Sequence, residues 1–256
     1  MTKVNIDLFS GMGNWSRGIQ IAADLFKFPA SLYLPNVVVE IDDFAHSFSP
    51  DIPVLRLTDI RKVSYISPAK MVYCSFPCRG TSMAGKRLGL QDEQSSLFYH
   101  ALRFVSDCKP EYFIVENPEG FIHNGLYEAV AALEAHGYIS TVILLSARVF
   151  NLPHQRARVF LIANRNDLSP FFYRQTWWSD EVRDCVDTVR AYTIAEQIKR
   201  GFASENDGYI LPERYLEIAQ CPTFPDRVKM ISMIGLSVVP ACVAALVGFI
   251  HLHLES

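Results

Sequence analysis

The 256-residue sequence predicts an α/β fold built on an open sheet, and two observations carry that reading. Short apolar runs of strand length alternate with stretches of helical spacing, the rhythm that distinguishes layered α/β folds from all-helical or all-strand ones. Where these apolar runs stop, a chemically useful residue comes next: Glu40 after one, Cys78 after another, Glu116 after a third. Open α/β sheets bind their ligands outside the carboxyl ends of the strands.

Composition sets the outer bounds. Half of the residues are apolar and a fifth are charged, which suits a globular core and not a disordered chain. The length allows one large domain, or a domain with a small appendage. Met1 to Asp7 runs straight into a strand-like pattern and lacks the apolar core and small-residue cleavage site of a signal peptide, so an intracellular, cytoplasmic protein is expected. The six cysteines are scattered, so no disulfide framework is expected. Cys74 and Cys78 have no second Cys/His pair at zinc-site spacing, and no metal is expected. Ile231 to Ile250 carries no charge and resembles a membrane span, but Gly235 and Pro240 divide it into a loop and a shorter apolar helix. Buried core is the expectation there, and no membrane.

Taken in order, Asn5 to Phe9 reads as an apolar strand, and Ser10 to Gly18 as a glycine-punctuated turn into a helix from about Ile19. Glycines at such a turn let the backbone approach a ligand, and the helix beyond offers free amide donors. An ordinary strand-to-helix turn has the same look. Asn36 to Glu40 is a second strand whose terminal carboxylate can accept ribose hydroxyls or face water. Leu57 to Ile60 closes a third short unit, with Asp59 placed to bond a purine edge or to cap the next turn of the chain. After the cysteine, Ser95 to Ser106 has the helical spacing of Leu97, Phe98, Leu102 and Val105, ended by Lys109-Pro110. Tyr112 to Val115 is a buried-strand pattern that stops at Glu116-Asn117. Leu126 to His136 reads as a helix, Thr141 to Leu145 as a strand, and Gln155 to Ala163 as another, in which alternation sets Arg156 and Arg158 on one face and apolar residues on the other. Two adjacent arginines can hold an anion or a base oxygen.

From Asn164 to Asp226 the rhythm weakens, and eleven acids face seven bases. Seventeen bases and sixteen acids remain elsewhere, so contact with nucleic acid has to come from segregated patches and not from net charge. Ala241 to Leu252 is a closing apolar helix.

The stretch Val72 to Arg87 is the chemical centre of the chain. Its apolar run stops at Pro77, Cys78 comes immediately after, and the loop beyond contains no acid. Arg79, Lys86 and Arg87 supply a positive field, which favours thiolate over thiol. A small buried residue in a strand-to-loop turn would look the same.

With these pieces in order, the chain resembles the cytosine carbon-5 DNA methyltransferase family. Asp7-Leu8-Phe9-Ser10-Gly11-Met12-Gly13 resembles its first cofactor motif and Phe76-Pro77-Cys78 its nucleophile motif. The resemblance continues through Ser82, Ala84-Gly85-Lys86-Arg87, Glu116-Asn117, Gln155-Arg156-Ala157-Arg158, and Ile234-Gly235 with Pro240. It implies a Rossmann-like, S-adenosylmethionine-dependent methyltransferase sheet. Residues 1–163 would form the catalytic and cofactor-binding domain, 164–226 a small target-recognition region, and 227–256 a C-terminal motif returning to the catalytic domain. It implies methyl transfer to carbon 5 of a flipped-out cytosine through a covalent adduct with Cys78, assisted by Glu116, Arg156 and Arg158. The implied cofactor site comprises Phe9, Gly11, Gly13, Glu40, Ile41, Asp59, Ile60, Pro77 and Leu97. Arg79, Ser82, Lys86 and Arg87 are the implied contacts to double-stranded DNA, and a restriction endonuclease is the implied protein partner in a restriction-modification setting.

The chain departs from the family at three places. Arg79 stands where glutamine is usual, Leu236 and Val239 replace the usual asparagine and proline of the last motif, and the 164–226 interval is short. These departures leave two alternatives open: the same chemistry on RNA or a free cytosine nucleotide, or a catalytically inactive nucleic-acid-binding relative.

Overall fold

Seven strands form one sheet in the order β3-β2-β1-β4-β5-β7-β6. They are β1 (Val4–Leu8), β2 (Val37–Val39), β3 (Leu55–Leu57), β4 (Ala69–Cys74), β5 (Tyr112–Pro118), β6 (Tyr138–Ser146) and β7 (Ala157–Arg165). Among the described residues the helices are α1 (Asn14–Phe26), the single turn α2 (Asp43–His46), α3 (Leu97–Cys108), α4 (Leu126–Ala135), α5 (Asp180–Lys199) and α6 (Pro240–His253). The computed structural model describes residues 3–64, 67–82, 87–152, 155–165, 179–199 and 238–253. Lys86 with Ala84-Gly85, Arg200, Ile234-Gly235, Leu236 and most of the 164–226 interval lie outside the described residues.

β1 to β5 are parallel neighbours, whereas β7 runs antiparallel to both β5 and β6. The reversal is a consequence of the link between β6 and β7, too short for the crossover of a dozen or more residues that a parallel return needs. Strand order changes direction between β1 and β4, and a crevice opens at such a switch point beyond the strand ends.

Helices cover both faces, and the strands are apolar on both. Met71 and Tyr73 of β4, Ile114 of β5, and Phe160 and Ile162 of β7 pack with α1, α5 and α6. Val72, Cys74, Phe113, Val159 and Leu161 pack with α3 and α4 on the other side. The expected two-faced character of the arginine-bearing strand is corrected accordingly: beyond Arg158 both of its faces are enclosed, because helices lie on each side of it.

α1 begins five residues before the expected start. Gly13 adopts a left-handed conformation (φ 70°) that sets the helix off at Asn14. The Arg17 guanidinium hydrogen-bonds the carbonyls of Met12 and Phe48 and the side chain of Asn14, which ties the turn to the first helical residues. α6 is buried on all sides from Ala241 to Ile250. That accounts for its unbroken apolarity, and among the described residues no helix is long and apolar enough to cross a membrane. α5 falls in the interval expected to form the target-recognition region, yet Val182, Cys185, Val186 and Val189 are buried in the core shared with α1 and α6. That part of the interval is built into the α/β body.

Candidate active site

The glycine turn and the acids at the ends of β2 and β3 meet at the carboxyl edge of the sheet. Phe9, Gly11 and Gly13 have φ of 61°, 53° and 70°, so the turn passes three times through the left-handed region. A Cβ on Gly13 would lie 2.6 Å from Pro50, whereas one on Gly11 would meet no atom within 4 Å. The backbone at Gly11 is therefore bare toward open space. Glu40 fastens this tip, its carboxylate accepting the amides of Gly11 (2.8 Å) and Asp42 (2.7 Å). Beside it Ile41 is 64 % exposed.

Asp59 accepts two hydrogen bonds from the Arg61 guanidinium, at 2.9 and 2.8 Å, and one from the Arg61 amide at 3.1 Å. Of the two roles left open for it, the structure displays the local one. The hydrogen bond from Arg61 is the main cause that holds its carboxyl down to about 2. Ile60 is buried in the core and its carbonyl accepts from Arg103 (2.9 Å), so it underpins the edge and does not line open space. Leu97 opens α3 half-buried against the same core. Asp7 opens the first motif. It is wholly buried on β1, neither carboxylate oxygen has a hydrogen-bond partner, and burial, with Glu40 adding to it, raises its pKa well above the usual range.

Cys78 lies four residues beyond the end of β4, half-buried, in a tight turn where its carbonyl accepts the amides of Ser82 (2.8 Å) and Thr81 (3.2 Å). Thr81 is buried and hydrogen-bonds the side chain of Asn117, whose Nδ2 reaches the carbonyl of Phe76 at 3.0 Å. Through these bonds the end of β5 holds the loop after β4. Glu116, on β5, is 3 % exposed, and its Oε1 lies 2.8 Å from Nε of Arg158 at the start of β7. A second Arg158 nitrogen donates to the carbonyl of Ala157 (2.8 Å). Ser75 hydrogen-bonds Glu116 and accepts the indole N–H of Trp15 at 3.0 Å. Trp15 in turn stacks on Tyr73 with ring centroids 4.6 Å apart.

The electrostatics of this cluster differ from the reading of the loop alone. Burial pushes the Cys78 thiol up; Arg158 pulls it down, Glu116 pushes it up, and Arg156 pulls it down. Among the described residues, the cations acting on the thiol come from the segment around the start of β7. Arg79 and Arg87 are exposed and Lys86 lies outside the described residues, so among the described groups the expectation that Arg79 and Arg87 favour the thiolate is corrected: the pull comes from Arg158 and Arg156, and burial outweighs it. Burial likewise raises the Glu116 pKa against the pull of Arg158, Ser75 and Arg156. Burial and the like charge of Arg158 lower Arg156 to about 10. Cys74 is fully buried inside β4 with its thiol pushed far up, mainly by burial, which sets it apart from Cys78 as a reactive group. Ser82 lies in the same turn as Cys78 and serves it through its backbone amide. Among the described residues no group of His, Cys, Asp and Glu side chains is arranged to hold a metal ion.

The structure thus brings Cys78, Glu116, Arg156 and Arg158 into one cluster. Phe9, Gly11, Gly13, Glu40 and Ile41 lie along the adjoining edge. Sequence reasoning missed Trp15, Ser75 and Thr81, whose roles depend on partners 36 to 60 residues away.

Residues 4–209 match the family model described as C-5 cytosine-specific DNA methylase. The chain is 28% identical over 180 residues to the Type II methyltransferase M.NgoBV of Neisseria gonorrhoeae, covering 64% of this chain and 42% of that one. It is 28% identical over 212 residues to the Type II methyltransferase M.MspI of Moraxella sp, covering 79% and 49%. It spans less than half the length of these curated relatives. The crystal structure of the S. pombe Dnmt2 methyltransferase shares the fold, with a TM-score of 0.62 at 18% identity over 97% of this chain and 99% of that one.

Proposed function

The chain belongs to the C-5 cytosine-specific DNA methylase family, and from that premise we propose that it transfers a methyl group from S-adenosylmethionine to carbon 5 of cytosine in double-stranded DNA. The observation that carries the reading is the convergence of a half-buried thiol, Cys78, with the buried Glu116–Arg158 pair and Arg156 at the edge of the sheet.

The residues present fit the cofactor. Gly11 offers bare backbone beside open space, Glu40 an anchored carboxylate for hydroxyl groups, and the exposed Ile41 an apolar surface for a purine ring. Bound there, S-adenosylmethionine supplies an electrophilic methyl group.

The chain's own residues do the rest. Carbon 5 of cytosine is a poor nucleophile until electrons are pushed into the ring. Cys78 Sγ, as thiolate, bonds to carbon 6, and the electron pair of the 5,6 double bond moves toward carbon 5 and ring nitrogen 3. Glu116 hydrogen-bonds or protonates nitrogen 3, and the burial that raises its pKa eases the sharing of a proton with the ring. Arg158 orients Glu116 and, with Arg156, lowers the cost of the thiolate. Once carbon 5 carries the methyl group, its proton leaves to a base, the sulfur–carbon 6 bond breaks, and Cys78 departs as thiolate. A stacked base cannot reach these groups, so the cytosine turns out of the duplex at a cost of a few kcal/mol. Arg79, Ser82, Lys86 and Arg87 then meet the DNA backbone, and the 164–226 interval outside the buried face of α5 reads the target sequence. A paired restriction endonuclease would cut that same sequence.

Transfer of a labelled methyl group, assayed in parallel on duplex DNA, RNA and dCMP, tests the proposal. Label in DNA alone is expected. Label in RNA or dCMP alone would move the substrate, and none in any of the three with cofactor bound would favour a binding protein.

A further inference from the structure

Three successive carbonyls around the thiol are held. Phe76 is held by Asn117, and Cys78 by the amides of Thr81 and Ser82. Pro77 is held by the Ser95 hydroxyl, which donates to its carbonyl at 2.8 Å. The same oxygen accepts the amide of Gly80 at 2.9 Å. One hydroxyl therefore spans both sides of Cys78.

Ser95 is suited to the task because it is itself fixed. It is fully buried, and its amide donates to Asp92 Oδ1 at 3.3 Å. Gly80 closes the fit from the other side: its carbonyl accepts from Gly89 (3.0 Å), and a Cβ at Gly80 would collide with the Gly89 carbonyl and the Asp92 side chain. The loop from Pro77 to Gly80 is thus seated on the segment from Gly89 to Ser95.

We infer that Ser95 is a positioning residue which, by bridging Pro77 and Gly80, holds the Cys78 sulfur at the Glu116–Arg158 pair. The inference rests on the reading of Cys78 as nucleophile. Bond formation to carbon 6 needs the reacting atoms about 3–3.5 Å apart, and a displacement of about 1 Å costs up to about 100-fold in rate. With the hydroxyl gone, Pro77 and Gly80 each lose a partner and the turn carrying the thiol is released toward solvent.

The test measures two rates on Ser95→Ala, with Ser96→Ala as a neighbouring control whose hydroxyl donates to the Glu93 carbonyl. Methyl transfer to duplex DNA should fall about 10- to 100-fold in kcat, with KM for S-adenosylmethionine within about twofold of the parent. Alkylation of Cys78 by iodoacetamide, with peptide mass spectrometry as the readout, should become several-fold faster, because burial is the strongest influence opposing its thiolate. Cys74 and Cys108, buried elsewhere, should stay protected. Opposite movement of the two rates is not expected of a merely weakened fold. A kcat within about twofold of the parent, or alkylation that accelerates at Cys74 and Cys108 as well, would overturn the inference. If the parent itself transfers no methyl group, the functional reading fails in the parent, and the alkylation pattern alone decides whether Ser95 holds the turn.

Discussion

Removing the Arg158 guanidinium tests how the site is balanced. The Arg158 and Glu116 side chains are 10% and 4% exposed and 2.8 Å apart, so Arg158→Ala strands a carboxylate in a dry place. Breaking such a buried pair on one side costs about 3–5 kcal/mol if the remaining charge stays. Glu116 has an escape, which is to hold a proton. Its pKa is already raised by burial, and losing the charge that most lowers it raises it further. Linkage then sets the sign. A carboxyl whose folded-state pKa lies above its unfolded value binds an extra proton in the native state between the two, so stability falls as pH rises through that window. Below about pH 4, where folded and unfolded chains both carry the proton, the variant should lose little beyond packing. Approaching pH 8 the loss should grow toward the ceiling of about 3–5 kcal/mol, and adding Glu116→Gln should recover most of it. Urea unfolding at pH 4, 6 and 8 measures this. A loss that is the same at all three pH values, or that Glu116→Gln does not relieve, would refute the reasoning and leave Arg158 as a packing residue.

Two further perturbations address the cofactor edge. Asp7→Asn should stabilise the protein at pH 7, because the amide stays neutral at every pH whereas the buried carboxyl must bind a proton to do so. Because the Asp7 pKa is raised by burial, that advantage should shrink toward zero as pH falls below about 4, which thermal unfolding against pH reads directly. Glu40→Ala releases the amides of Gly11 and Asp42, and calorimetry should find S-adenosylmethionine binding weakened by about 1–3 kcal/mol. Unchanged affinity would take Glu40 out of the site.

The parts of the fold that were legible are those where burial leaves a mark on the residue pattern. β1, β4 and β5 are enclosed on both faces, so they stand out as apolar runs, and the group after each run lands at the sheet edge by geometry. The direction of β7 was not legible, since an apolar strand looks alike in either orientation. The early start of α1 depended on the conformation of Gly13 and the bonds of Arg17, neither of which shows in hydrophobic spacing. α5 did carry a signal. Val182, Cys185, Val186 and Val189 repeat at helical spacing, but the excess of charge around them drew attention to the surface face. In the site, residue types at strand ends pointed to Cys78, Glu116 and the arginines. Which charges act on the thiol was hidden, because Arg156 and Arg158 are distant in sequence while the nearby Arg79 faces solvent.

The central claim is that Cys78 bonds covalently to cytosine, and a duplex carrying 5-fluorocytosine at the methylated position tests it most directly. Fluorine cannot leave carbon 5 as a proton does, so an enzyme that attacks carbon 6 stays attached after the methyl group has arrived. Incubated with this DNA and S-adenosylmethionine, the parent protein should form a denaturation-resistant complex whose DNA-bearing peptide contains Cys78. Cys78→Ser should form none while still binding the cofactor, and Cys74→Ala should be trapped like the parent. Trapping through a residue other than Cys78, or methyl transfer by Cys78→Ser at a rate near that of the parent, would contradict the account.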